Sequence, residues 1–214
     1  LGMQVQPQIA GGAEPLFLLN QRLVEEAAKN HMFANQHAGA HPVNLIIINE
    51  YYERMIVHVR DLRQATLSNV HNIMRNEKTE QILNKVLLLP DGYMNWDISK
   101  QIDYQIEHRI PFLVSWIEGW LKADKDPNFR PKILFTSFEQ FIKDKRAFIN
   151  KILDFYEIDH DLYNYDIEKT PDKDVHLYRK GKSCEWRDVF NEEQREKATK
   201  LIPDELFSRF DWDK

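Results

Sequence analysis

The stretch Met55-Ile56-Val57-His58-Val59-Arg60-Asp61-Leu62-Arg63-Gln64-Ala65-Thr66-Leu67-Ser68 decides the fold class. A short apolar run rich in β-branched residues breaks into charge at Arg60-Asp61, and helix formers follow. A buried strand has this pattern when it delivers polar groups to the open end of a sheet. The pattern predicts a strand over Arg54–Val59 and a helix over Asp61–Asn76. Arg60 then stands at the carboxyl end of the strand, where open α/β sheets take their ligands. Ser68, eight residues on, falls in the second turn of the helix and can reach back toward the same anion. A guanidinium and free backbone N–H groups converging at a helix N-terminus suit a phosphate. Taken alone, the junction is equally well explained by Asp61 as an N-cap and Arg60 in a surface ion pair.

Outward from this stretch, apolar spacing predicts helices over Leu16–Asn30, Asn44–Tyr52, Asp97–Ala123, Lys145–Tyr156 and Glu192–Leu201. Ile98, Ile102, Ile106, Ile110, Leu113, Ile117 and Leu121 form the stripe of the long one. Pro111 inside it predicts a kink or a joint between two helices. Lys132–Ser137 reads as a second buried strand, and Leu206–Trp212 closes the chain. Residues 35–42 are polar and end in Pro42, hence a loop, and 157–188 show little periodicity. Strands alternating with helices imply a central parallel sheet flanked by helices, a three-layer α/β fold. Trp116 and Trp120 read as packing residues rather than a cofactor stack.

At 214 residues the chain is long enough for one α/β domain with a substantial core, and we take 1–214 as that domain. Hydrophobic residues at 43% with 29% charged argue against disorder. A net charge of −5 offers no general attraction for nucleic acid or anionic membrane, so an anion site must be local. The single cysteine, Cys184, excludes an internal disulfide and fits a reducing compartment such as the cytoplasm. No apolar run approaches the roughly 20 residues that span a bilayer. No cluster of His, Cys, Asp and Glu has metal-ligand spacing, so no metal is expected.

A second basic signal lies in Tyr178-Arg179-Lys180-Gly181-Lys182-Ser183-Cys184-Glu185-Trp186-Arg187. Gly181 permits close backbone approach to a ligand and cations flank it. With this segment the chain resembles the sulfotransferases that use 3′-phosphoadenosine-5′-phosphosulfate (PAPS), the bacterial type in particular. Their R-D-x-R-x-x-x-x-S matches Arg60 through Ser68, and their Y-E-D-L matches Phe138-Glu139-Gln140-Phe141. Their R-K-G-x-x-x-W-[KR]-x-x-F matches Arg179-Lys180-Gly181 through Trp186, Arg187 and Phe190, with one more residue between Gly181 and Trp186. Ile202-Pro203-Asp204-Glu205-Leu206 with Phe210 and Trp212 resembles the bacterial ending.

The resemblance implies a P-loop-NTPase-like fold and transfer of a sulfuryl group from PAPS, leaving adenosine 3′,5′-bisphosphate. The acceptor would be a hydroxyl or amine of a carbohydrate, lipid or small molecule. Arg60 and Ser68 would bind the nucleotide's 3′-phosphate, with Arg179, Lys180 and Gly181 closing over it and Phe138 at the nucleotide. Trp186 would pack near the nucleotide or anchor its loop. The family's base is a loop His some twenty residues before the motif Arg. His37, 23 residues ahead of Arg60, matches best, and His41 is the alternative. His31, His58 and His71 fall on helix or strand positions and read as structural. Phe138 lacks the family's phenol, and Gln140 stands where the family has an acid. The family's P-K-S-G-T-type loop has no counterpart before Leu16, and we expect this chain to begin just after it. Two rival functions share the scaffold: a nucleotide- or glycan-binding module without turnover, and a P-loop small-molecule kinase. Acceptor identity and oligomeric state are not legible.

Overall fold

The structure, a computed structural model, describes residues 10–11, 17–32, 35–75, 89–163 and 184–214. It divides into two compact units, Leu1–Val57 with Ser115–Phe135, and His58–Val114 with Thr136–Lys214. Its strands are β1 (Ala10–Gly11), β2 (Leu18–Leu19), β3 (Arg54–Val59) and β4 (Lys132–Ser137). Its helices are α1 (Gln21–Lys29), α2 (Pro42–Tyr51), α3 (Leu62–Arg75), α4 (Ile98–Lys125), α5 (Phe138–Lys143), α6 (Lys145–Phe155), α7 (Trp186–Val189), α8 (Glu192–Lys200) and α9 (Asp204–Phe210). Short 3-10 turns occupy Tyr93–Asn95 and His160–Leu162.

β3 occupies the residues its sequence predicts, and it pairs with β4. Contacts advance together along both strands: the Lys132 N–H donates to the Glu53 carbonyl at 2.8 Å, and His58 Nδ1 lies 2.9 Å from Thr136 Oγ1. The strands are therefore parallel, and both deliver their carboxyl ends to the start of a helix, α3 after β3 and α5 after β4. The result is a mixed α/β chain with a small parallel sheet.

In the first unit, the helix expected from Leu16 begins only at Gln21. Leu18–Leu19 instead pairs antiparallel with Ala10–Gly11, and Asn20 caps α1 by accepting the Leu23 N–H at 3.2 Å. The cap ends the strand because an Asn side chain satisfies an N–H that the helix would leave orphaned. α2 starts at Pro42, which suits the first helical turn, with His41 as N-cap through Nδ1.

In the second unit, Leu62, Leu67, Val70 and Ile73 of α3 and Ile102, Ile106 and Ile110 of α4 are buried. Ile98, placed in the apolar stripe by spacing alone, is exposed. α4 runs as one helix through Pro111, so the expected joint is absent. Pro111 lies on an exposed face, where water can take the carbonyl that its missing N–H releases. Gln101 and Gln105 are buried beside the isoleucines. Gln101 Nε2 donates to the Tyr93 and Trp96 carbonyls, and Gln105 Nε2 to the Tyr93 hydroxyl. Burial pushes that hydroxyl up to about 12. Leu206, Phe207, Phe210 and Trp212 close the core from the C-terminal segment.

Candidate functional site

The tip of the β3–β4 pair carries Arg60 and Phe138. Arg60 follows the last residue of β3, and its guanidinium carbon lies 4.4 Å from the centroid of the Phe138 ring, at the head of α5. A cation over an aromatic face is held there electrostatically. Phe138 packs against Phe141 (6.4 Å between centroids), and Phe141 against Phe148 (5.3 Å). Ser68 is half-buried on α3, on the face that also carries Ala65, Asn69 and Asn72.

Asp61 is the N-cap of α3. Its Oδ1 accepts the Arg63 backbone N–H at 2.9 Å, so that N–H is not free for an anion as the motif alone suggested. The carboxylate also takes the Arg63 side chain, Nε to Oδ1 at 3.0 Å and Nη2 to Oδ2 at 2.6 Å. Arg63 is fully buried. Nη1 donates to Thr199 Oγ1 at 3.2 Å, Nη2 also to the Asp213 carbonyl, and the guanidinium lies 3.9 Å from the Trp186 ring and 5.0 Å from Phe207. The second arginine of the motif thus ties the strand tip to α7, α8, α9 and the C-terminal residues. The motif by itself assigns it no role. Its one signal was a charged residue on a helix position that the apolar pattern requires to be buried.

Trp186 is gripped twice by the first turn of α3: its ring faces Arg63, and its backbone N–H donates to Gln64 Oε1 at 3.2 Å. It is 3% exposed. Gln140, where the family has an acid, completes a capping box with Ser137, each side chain accepting the other's backbone N–H at 3.2 Å. The neighbouring acid, Glu139, accepts the Asp61 N–H and the Trp212 indole N–H, both at 3.1 Å. Burial raises its carboxyl above the ordinary value, with Asp61's charge adding, while these hydrogen bonds oppose the rise.

His58 is a site neighbour that the sequence reading set aside as structural. Two residues before Arg60, it lies on the same face, as strand alternation requires. It bonds Thr136 and meets Phe148 edge-on at 5.8 Å. The residue as a whole is exposed, but the ring is crowded. That burial, with Arg60's charge second, holds the imidazole below its ordinary value.

His37 and His41 belong to the first unit. His41 Nδ1 accepts the Val43 N–H at 3.3 Å and is engaged as the α2 cap. His37 is exposed, its ring 6.2 Å from that of Phe17. Arg179, Lys180 and Gly181 lie outside the described residues. Among the described residues, no group of three or more His, Cys, Asp or Glu could hold a metal ion, and no helix is long and apolar enough to cross a membrane.

The family model described as "Sulfotransferase domain" matches residues 26–210. That match takes in Arg60, Ser68, Phe138 and Trp186. No curated protein and no solved structure matches the chain.

Proposed function

The chain belongs to the sulfotransferase domain family, and from that premise we propose that it transfers a sulfuryl group from PAPS to an acceptor hydroxyl or amine. The observation that carries the reading is the Arg60 guanidinium seated on Phe138, at the tips of two parallel strands that each lead into a helix. In the fuller architecture we propose, this pair belongs to a three-layer, P-loop-like sheet. A dianionic phosphate needs several charge-assisted donors from separate elements. Arg60 and Ser68 supply them from the strand tip and α3, and Arg179, Lys180 and the backbone at Gly181 from the C-terminal loop. Phe138 offers the nucleotide an aromatic face. Trp186 anchors the segment that follows the R-K-G residues, since its ring is already occupied by Arg63.

The chemistry asks for positioning and charge stabilisation rather than a covalent intermediate. The acceptor oxygen attacks sulfur in line as the bond from sulfur to the phosphate oxygen breaks. His37 takes the acceptor's proton as general base. We favour His37 over His41 because the latter's Nδ1 already caps α2. Cytoplasmic residence and a small-molecule or glycan acceptor complete the reading.

Incubating the full-length protein with PAPS and a panel of sugars, lipids and small alcohols and amines tests it, with mass spectrometry reading sulfated product and adenosine 3′,5′-bisphosphate. Tight binding of adenosine 3′,5′-bisphosphate without turnover by any acceptor identifies a binding module instead. Preference for ATP with Mg²⁺ in calorimetry overturns the assignment in favour of a kinase.

A further inference from the structure

The first unit holds the chain beside His37 more firmly than a surface loop requires. Ala38 is buried, and its carbonyl oxygen accepts two indole N–H groups, from Trp116 at 3.1 Å and Trp120 at 3.3 Å. These residues lie one helical turn apart on α4, with rings edge to face and 6.4 Å between centroids. The next carbonyl, of Gly39, accepts Asn44 Nδ2 at 2.9 Å. Buried Asn44 also donates to the Phe17 carbonyl and accepts the Leu19 N–H, so it fixes the backbone of the residue whose ring faces His37. The contacts are close on the helix side too. A Cβ on Gly39 would lie 3.4 Å from Trp116 Cδ1, and one on Gly119 would lie 3.3 Å from the Ala40 Cβ.

We infer that Trp116, Trp120 and Gly119 are positioning residues for His37, an inference that rests on His37 being the base. A general base must stand within hydrogen-bond reach of the proton it removes, and a misplacement of about 1 Å can cost roughly 100-fold in rate. Ordinary packing would be served by Phe at 116, which needs no hydrogen-bond partner. It would also be served by Ala at 119, the better helix former. The residues present instead saturate one carbonyl with donors and leave out a methyl where the loop lies on the helix. His37 itself is left exposed at the edge of this fixed backbone.

Gly119→Ala separates positioning from stability, because the two effects have opposite signs. Alanine favours the helix, while Ala40 has to give by a few tenths of an ångström. In the full-length protein, with PAPS and the acceptor panel as the probe, Gly119→Ala should keep or raise the thermal midpoint. It should lower kcat about threefold to tenfold. Trp116→Phe, which removes one N–H and keeps a ring, should lower kcat about tenfold. Both should leave KM for PAPS within about twofold, and neither should reduce kcat further in a His37→Gln background. Unchanged kcat in Gly119→Ala, or an equal loss in the His37→Gln background, overturns the inference. If Trp116→Phe does not fold, Gly119→Ala decides alone. Wild-type kcat in His37→Gln sinks the base assignment, and the positioning role with it. A dead His37→Gln with unaffected Gly119→Ala sinks only the positioning role.

Discussion

Replacing Arg63 by methionine should be among the most damaging single changes in the second unit. Arg63 is fully buried, and its removal leaves the Asp61 carboxylate, 5% exposed, without its counter-charge. Breaking a buried ion pair from one side typically costs about 3–5 kcal/mol. Methionine preserves most of the stem volume but loses the guanidinium over Trp186 and the bonds to Thr199 and the Asp213 carbonyl. We expect a loss of about 4 kcal/mol, a large share of the roughly 5–15 kcal/mol that holds a domain folded. Adding Asp61→Asn should restore part of this, because asparagine caps a helix as well as aspartate and leaves no buried charge. The double variant should then lose only about 1–2 kcal/mol, about 2–3 kcal/mol less than Arg63→Met alone. Urea unfolding at pH 7, followed by far-ultraviolet circular dichroism, measures this. With a slope of about 3 kcal/mol per molar, Arg63→Met should lower the midpoint by about 1.3 M. Loss of less than about 1 kcal/mol in Arg63→Met, or strictly additive effects in the double variant, would refute the hub.

Three further outcomes follow from the same contacts. Arg60→Lys loses the planar fork, and adenosine 3′,5′-bisphosphate should bind about 10- to 100-fold more weakly in calorimetry; equal affinity would remove Arg60 from the phosphate site. His58 is held below its ordinary value, so the unfolded chain protonates first as pH falls below about 6.5. Stability should therefore decline from there through the folded-state value, and His58→Gln should flatten that decline in pH-dependent urea midpoints. An unchanged slope would deny His58 its crowded setting. Asn44→Ala strands the Leu19 N–H and the Phe17 and Gly39 carbonyls, and should cost about 2–4 kcal/mol by thermal unfolding; a loss under about 1 kcal/mol would show those bonds to be replaceable.

What was legible in the sequence was local. Arg54–Val59 and Lys132–Ser137 are strands to the residue because β-branched runs bounded by charge and polar turn formers leave little alternative. The N-cap role of Asp61 could be read from its neighbours alone. Leu18–Leu19 is strand where its spacing predicts helix, because two leucines fit either period and only pairing with Ala10–Gly11 decides. Arg63 escaped because its partners Thr199 and Asp213 lie 136 and 150 residues away, and no spacing rule spans that distance. His58 escaped for the same reason, its surroundings being set by Thr136 and Phe148. Trp116 and Trp120 read correctly as packing, but nothing along the chain points their N–H groups at Ala38.

The Trp116–Trp120 pair also makes the protein its own spectroscopic instrument. Two indoles 6.4 Å apart and crossed at 74° share their excited states and should give a paired band in near-ultraviolet circular dichroism. Trp186, facing the Arg63 guanidinium, emits beside a cation instead. The paired band reports on the first unit, where both indoles lie. An unlabelled sample can thus show whether the first unit responds when a nucleotide, an acid pulse or a substitution is applied.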